Sequence, residues 1–360
     1  MSCWRPGDSA FRPRRVLVAG CGSGREAFAL AQRLPDATIV AVDFSPRSVR
    51  VARASQRRLP FARRIRFQVL DLGGPGLAGK TGGAFDFISC HGVLSYVANP
   101  LRVLRQLRDC LTDEGALYLG VNGAMHHSVR WRGVLPAFGL DVGSWRETAE
   151  ARRVLRVLDA MASRTPMPRL ASKSASYLSG DVFGPPFLNL PLADWLHLAG
   201  QSGLHFRGSD STGESLRGLC DENLVSALIP RTRAEIQSLE EQLIPSAFHR
   251  LLLTKEPPAR APWNDDEALM DWRVVRLPLF RISLPARPPG MARFTSRGMN
   301  LLVESRIDSA LAAVLRARRP AAICEVVRRA GARVHARGLR DALYMLYLLG
   351  VIELLPSTAR

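Results

Sequence analysis

Five short apolar runs, each closed by a glycine or a polar residue, punctuate the first third of the chain. Residues 15–19 run into Gly20-Cys21-Gly22-Ser23-Gly24, 38–42 stop at Asp43, 65–70 at Asp71, 85–90 at His91, and 116–121 end at Asn122. Runs this short read as strands, and their alternation with helices argues a parallel sheet covered on both faces. Residues 26–31, 46–57 and 101–111 carry the 3.6-residue spacing of helices, and Leu111-Thr112-Asp113-Glu114-Gly115 reads as the turn into the fifth strand. Strand alternating with helix predicts an α/β fold with a Rossmann-like parallel sheet, whose ligands sit at the carboxyl ends of the strands.

Beyond residue 122 the pattern changes. Strands over 203–208 and 248–255 would add an antiparallel pair to the sheet, with a helix at 234–243 between them. Residues 123–186 then form a helical insertion over the strand ends. Its helix at 147–162 carries a stripe of Val154, Leu155, Val157, Leu158 and Met161, which reads as core packing first and as a lid or dimer surface second. The stiff stretch around Pro257-Pro258 marks a boundary. After it come a strand at 272–279, a loose stretch at 285–289, helices at 301–315, 321–330 and 339–349, and a strand at 351–355, a set that reads as a small winged-helix-like unit. The domain division is therefore 1–122, 123–186, 187–257 and 258–360.

Composition removes several function classes. With 47% hydrophobic and 23% charged residues over 360 positions, the chain has the profile of an ordinary globular protein. No apolar run approaches the ~18 residues of a membrane span, and Met1 to Pro6 lack the features of a signal peptide, so no membrane insertion and a cytoplasmic location are expected. The net charge of +18 raises nucleic acid as a partner. However, 47 of the 50 basic residues are arginines spread along the whole chain, which fits GC-rich codon usage better than a binding face. Arg328, Arg329, Arg333, Arg337 and Arg340 could touch phosphates, but residues 341–347 are apolar where a reading helix needs polar side chains, so specific nucleic-acid binding is not expected. The six cysteines (Cys3, Cys21, Cys90, Cys110, Cys220 and Cys324) are far apart and read as reduced thiols. With no paired histidines at ligand spacing, no metal is expected either.

The glycine loop carries the chemistry. A dinucleotide fingerprint needs Gly-x-Gly-x-x-Gly, whereas here Gly20, Gly22 and Gly24 follow one another at every second position. With Asp43 ending the next strand, the segment resembles the S-adenosylmethionine pattern of class I methyltransferases. The resemblance implies that Gly20, Cys21, Gly22 and Gly24 approach the methionine and ribose of the cofactor, and that Asp43 accepts from both ribose hydroxyls with Phe44 beside it. It also places Asp71 and Leu72 near the adenine, and Cys90 and His91 on the pocket wall. The family generally has an acid where Val18 stands, which helps hold the methionine end.

Cys90-His91-Gly92-Val93-Leu94-Ser95-Tyr96-Val97 is similar to a stretch of bacterial methyltransferases that carry a regulatory domain, a group including lysine methyltransferases of outer-membrane proteins. Asn122, Trp131-Arg132-Gly133, Tyr177-Leu178, Phe187, the segment 199–206 and Phe248 to Leu253 extend that likeness more loosely. It implies a protein lysine as first-choice methyl acceptor. A small-molecule hydroxyl or amine is the alternative, and a non-catalytic regulator binding S-adenosylmethionine or DNA is a third reading. His91, Tyr96 and Asn122, at the ends of strands four and five, are the candidate catalytic groups, with His91 alternatively a hydrogen-bonded wall of the pocket. A homodimer through the insertion or the terminal unit is the candidate assembly.

Overall fold

The computed structural model describes residues 13–140, 148–164, 169–184, 188–209, 228–229, 231–243, 245–276, 280–296, 302–317, 320–329, 336–348 and 351–357. Cys3, Cys220, Phe187 and Arg333 lie outside these residues, as does Met1 to Pro6. The expected alternation is present in the first third. The elements are β1 (Arg15–Ala19), α1 (Arg25–Arg33), β2 (Thr38–Asp43), α2 (Pro46–Gln56), β3 (Ile65–Val69), α3 (Leu77–Thr81), β4 (Phe85–His91), α4 (Pro100–Cys110) and β5 (Leu111–Asn122). Local chemistry sets the helix starts: Ser45 accepts from the Ser48 N–H ahead of α2 and Asn99 from the Arg102 N–H ahead of α4, each followed by proline.

The sheet has seven strands in the order β3-β2-β1-β4-β5-β7-β6, with β6 at His205–Ser209 and β7 at Phe248–Thr254. The first five run parallel; β7 is antiparallel to both β5 and β6. One face buries Leu17, Ile88, Cys90 and Leu117 under α3, α4 and the helix α8, Leu192–Gln201. The other buries Val16, Val18, Ile39 and Phe87 under α1 and α2. The expected turn at 111–115 is instead the extended start of β5, which passes Phe85 with a register shift. Gly115 makes this passage fit, since a Cβ there would lie 2.8 Å from the Phe85 carbonyl.

After β5 the chain builds a separate small core from Trp131, Leu135, Leu155, Leu158, Leu170, Leu178, Val182 and Phe183, with α5 (His127–Val134), α6 (Ala149–Met161) and α7 (Ala175–Tyr177). The stripe of α6 divides. Leu155 and Leu158 are buried in that core, whereas Val157 and Met161 face outward.

The last third departs furthest from expectation. Residues 301–315 are not one helix: Leu302–Ile307 is β11, and the helix Ser309–Arg316 starts only after Asp308, whose side chain accepts from the Leu311 N–H. The run Leu302 to Ile307 is held as a strand by its pairing with β10, and Asp308 then caps the helix that follows. β11 pairs with β10 (Gly290–Ser296), which pairs with β9 (Phe280–Ser283), so the loose stretch 285–289 is the connection within an antiparallel sheet that the sequence reading lacked. A second small sheet sets β8 (Arg273–Arg276) between β12 (Ala321–Ala322) and β13 (Ile352–Leu355). Helices Ile323–Arg329 and Ala336–Leu348 complete the unit. Its core also takes Ile236 from the helix Arg233–Leu243, which the sequence division had placed with the preceding region.

Candidate functional site

The carboxyl ends of β1, β2 and β4 converge on the glycine loop. Gly20 and Cys21 both donate their N–H to the Val42 carbonyl, at 2.8 Å each, so the loop folds back over the end of β2. Its three glycines have φ of +79°, +52° and +90°, the left-handed region that residues with a Cβ rarely adopt. They serve different neighbours. A Cβ on Gly20 would strike Val93 at 2.2 Å, and one on Gly24 would press on Phe28 and Ala52 at 3.0 and 3.1 Å. A Cβ on Gly22 would meet no protein atom within 4 Å. Gly20 and Gly24 therefore close the packing, while Gly22 borders open space.

Asp43 lies against that space. Its two oxygens accept from the Gly22 N–H at 2.8 Å and the Ser45 N–H at 2.9 Å. An ionised carboxylate has about four acceptor positions, so two remain for a ligand. Phe44 beside it is 77% exposed, an unusual setting for an aromatic ring that a stacked planar ligand would remedy.

Asp71 is exposed and accepts from the Gly73 N–H at 2.9 Å, leaving acceptor capacity free. Leu72 has its side chain in the core and its carbonyl accepting from Gln106 at 2.7 Å, so its backbone is what it could offer a ligand. Cys90 is fully buried, and Cys21 nearly so. Burial, reinforced by Asp43 at Cys21 and by Glu26 at Cys90, pushes both thiols up to about 12, so neither is a nucleophile at neutral pH.

The three candidate catalytic groups separate into two settings. Tyr96 and Asn122 come together: Asn122 Nδ2 donates to the Tyr96 hydroxyl at 3.3 Å. Asn122 is itself fixed, its N–H donating to Ser95 Oγ at 2.8 Å and its carbonyl accepting from Trp195 Nε1 at 2.9 Å. Asn122 is 1% exposed, so of this pair it is the buried member that holds the Tyr96 hydroxyl. His91 is exposed and its ring lies across β5, edge-on to Phe248 with centroids 5.1 Å apart and tilted on Tyr118 at 5.8 Å. Gly120 permits this, because a Cβ there would sit 2.0 Å from the imidazole. Tyr118 and Gly120 were missed as site neighbours, and the β4–β5 register that places Gly120 opposite His91 is not visible in a sequence.

The insertion adds a second cluster that sequence reasoning did not connect. His127 Nε2 hydrogen-bonds the Tyr177 hydroxyl at 2.7 Å, and Lys173 lies 5.2 Å from the Tyr177 ring centroid. His126 is buried, hydrogen-bonded to Ser128 Oγ and tilted against His127 with ring centroids 4.1 Å apart. Burial first, then His127 and Arg132, push the His126 imidazole down to about 4 from 6.5. Since the unfolded chain binds the proton more readily, the stability this residue contributes is complete above about pH 6.5 and is lost as pH falls toward 4. The loss should reach on the order of 2–3 kcal/mol. Thermal unfolding recorded from pH 7 to pH 4 checks it: His126→Asn should flatten the acid limb relative to the parent.

Among the described residues no group of three or more His, Cys, Asp or Glu side chains could hold a metal, and no helix is long and apolar enough to cross a membrane.

Residues 17–117 match the family model of a methyltransferase domain. An uncharacterized protein of Synechococcus sp. is 39% identical over 110 residues, 31% of this chain and 25% of that protein. The ubiquinone biosynthesis O-methyltransferase of Xanthomonas campestris pv. campestris is 32% identical over 105 residues, 29% of this chain and 41% of the enzyme. Trans-aconitate 2-methyltransferase of Deinococcus radiodurans is 29% identical over 114 residues, 32% of this chain and 40% of the enzyme. The chain thus spans about a quarter to two-fifths of the curated relatives it matches. Among solved structures, PKMT2 from Rickettsia typhi in complex with AdoHcy superposes over 96% of this chain and 72% of its own, with a TM-score of 0.55 at 15% identity. The sheet and its connections are those of a class I methyltransferase.

Proposed function

We propose that a chain built on this methyltransferase domain is an S-adenosylmethionine-dependent methyltransferase. The observation that carries the reading is Asp43, a carboxylate closing β2 with two acceptor positions free, set against the open face of Gly22. The residues fit the cofactor: Asp43 for the ribose hydroxyls, Phe44 and Asp71 on the adenine side, and the loop of Gly20, Cys21, Gly22 and Gly24 for the methionine portion. When bound, S-adenosylmethionine supplies a methyl group on a sulfonium that is already a strong electrophile. What remains for the protein is to hold a nucleophile in line and to exclude water. A lysine acceptor must also lose a proton, since its free pKa is about 10.4; His91 at the end of β4 could receive it, and the Tyr96 hydroxyl could orient the amine by accepting a hydrogen bond from it.

A protein lysine is the first-choice acceptor, supported by the likeness of the 90–97 stretch to the regulatory-domain group. The O-methyltransferase and trans-aconitate relatives favour a small-molecule acceptor as the second reading. The terminal unit reads as winged-helix-like and as a docking or dimerisation module. Its helix Ala336–Leu348 buries Leu339 and every residue from Ala342 to Leu348, which supports packing over base reading. Calorimetry with S-adenosylmethionine, followed by incubation with the methyl-labelled cofactor and a lysate separated into protein and small-molecule fractions, tests the reading. Saturable binding with transfer of label is expected; a chain that neither binds nor transfers overturns it.

A further inference from the structure

On the reading just given, one charge of the cofactor lacks a partner. With the adenine held toward β3 and the ribose at Asp43 on β2, the methionine end would be held next along the sheet order β3-β2-β1-β4, at β1 and β4, with strands about 4.8 Å apart. That end bears an α-ammonium. On β1 the residue facing α1 at this level is Val18, fully buried and without charge.

A carboxylate nevertheless reaches the same place from another element. Val18 pairs with Ser89 of β4, and the buried Ser89 hydroxyl donates to Glu26 Oε1 at 2.5 Å. Glu26 stands in the first turn of α1, two residues past the glycine loop, and is half-buried. Its second oxygen accepts no hydrogen bond from the described residues. Ser89 is a polar residue on a face otherwise built of Val16, Val18 and Phe87, so the strand spends a buried hydroxyl on seating this carboxylate.

We infer that Glu26, held by Ser89, supplies from α1 the negative charge that β1 lacks, and that it binds the α-ammonium of S-adenosylmethionine as a cofactor-specificity residue. The inference rests on the methyltransferase reading. A bland role is also available to Glu26, because an acid in the first turn favours the helix and its bond to Ser89 anchors α1.

Glu26→Gln separates the two roles, since the amide oxygen can still accept from Ser89 while the charge is gone. The probes are S-adenosylmethionine and 5′-methylthioadenosine, which keeps the adenine, ribose and sulfur but has no amino-acid end. By calorimetry on the full chain, the variant should lose about tenfold to a hundredfold in affinity for S-adenosylmethionine, the worth of a charge-assisted hydrogen bond. Its affinity for 5′-methylthioadenosine should match the parent's. Equal weakening toward both ligands would overturn the inference in favour of loop support, and unchanged affinity for both would overturn it outright. A parent chain that binds neither ligand would overturn the methyltransferase reading, and this assignment with it.

Discussion

Asp43→Ala is expected to weaken S-adenosylmethionine binding by about a hundredfold or more, because two hydrogen bonds from the ribose to a charged acceptor are lost together. The same carboxylate holds the Gly22 and Ser45 N–H groups at 2.8 and 2.9 Å, so the glycine loop loosens as well and the effect exceeds that of the ligand contacts alone. Gly22→Val should have a comparable effect by another route. Its Cβ meets no protein atom within 4 Å, so the fold can receive a side chain there, but on the proposed function the space it enters is the one the cofactor needs. The backbone φ of +52° adds a local cost for a β-branched residue. Calorimetry on both variants, with circular dichroism to verify folding, measures the losses. If either folded variant binds like the parent, the cofactor is held elsewhere.

The parts of this arrangement that a sequence displays are those written locally. Gly20, Gly22 and Gly24 stand within five residues, and Asp43 closes its own apolar run, so the loop and its acid are legible without any contact map. Glu26 was missed for the opposite reason. The acid was sought in the β1 register, at Val18, and the carboxylate arrives from α1 through a bond to Ser89, 63 residues away. His127 and Tyr177 are 50 residues apart, and only the fold of the insertion brings them together. The terminal sheet was missed through local ambiguity: Pro285 to Pro289 reads as a loop whether or not strands flank it, and Leu301 to Ile307 satisfies helical and strand spacing alike until Asp308 is recognised as a cap. Pro257-Pro258 looks like a boundary because stiffness is a local property. Which side a preceding helix packs on is not.

That helix determines the largest expected change in stability. Arg233 and Glu353, both about 5% exposed, form a salt bridge of 2.7 Å. The guanidinium also donates to the carbonyls of Tyr347, Ile352 and Arg207, at 2.6, 2.9 and 3.2 Å, and lies 4.0 Å from the Tyr347 ring centroid. Arg207 belongs to β6, the last strand of the seven-stranded sheet, so this one side chain joins that strand to the terminal unit. Arg233→Ala takes the ion-pair partner from the buried Glu353 carboxylate and leaves three carbonyls without their donor, and it should cost about 3–5 kcal/mol, read from denaturant unfolding. The double variant Arg233→Met with Glu353→Met should be less destabilised than Arg233→Ala, because the Glu353 carboxylate goes with its ion-pair partner. A chain ended at residue 257 loses Glu353, Tyr347 and the apolar cover of Ile236 at once, and it exposes the β6 edge, so it should aggregate despite the Pro257-Pro258 break. A soluble, monomeric 1–257 chain that unfolds cooperatively would show instead that the helix Arg233–Leu243 is held by the sheet and not by the terminal unit.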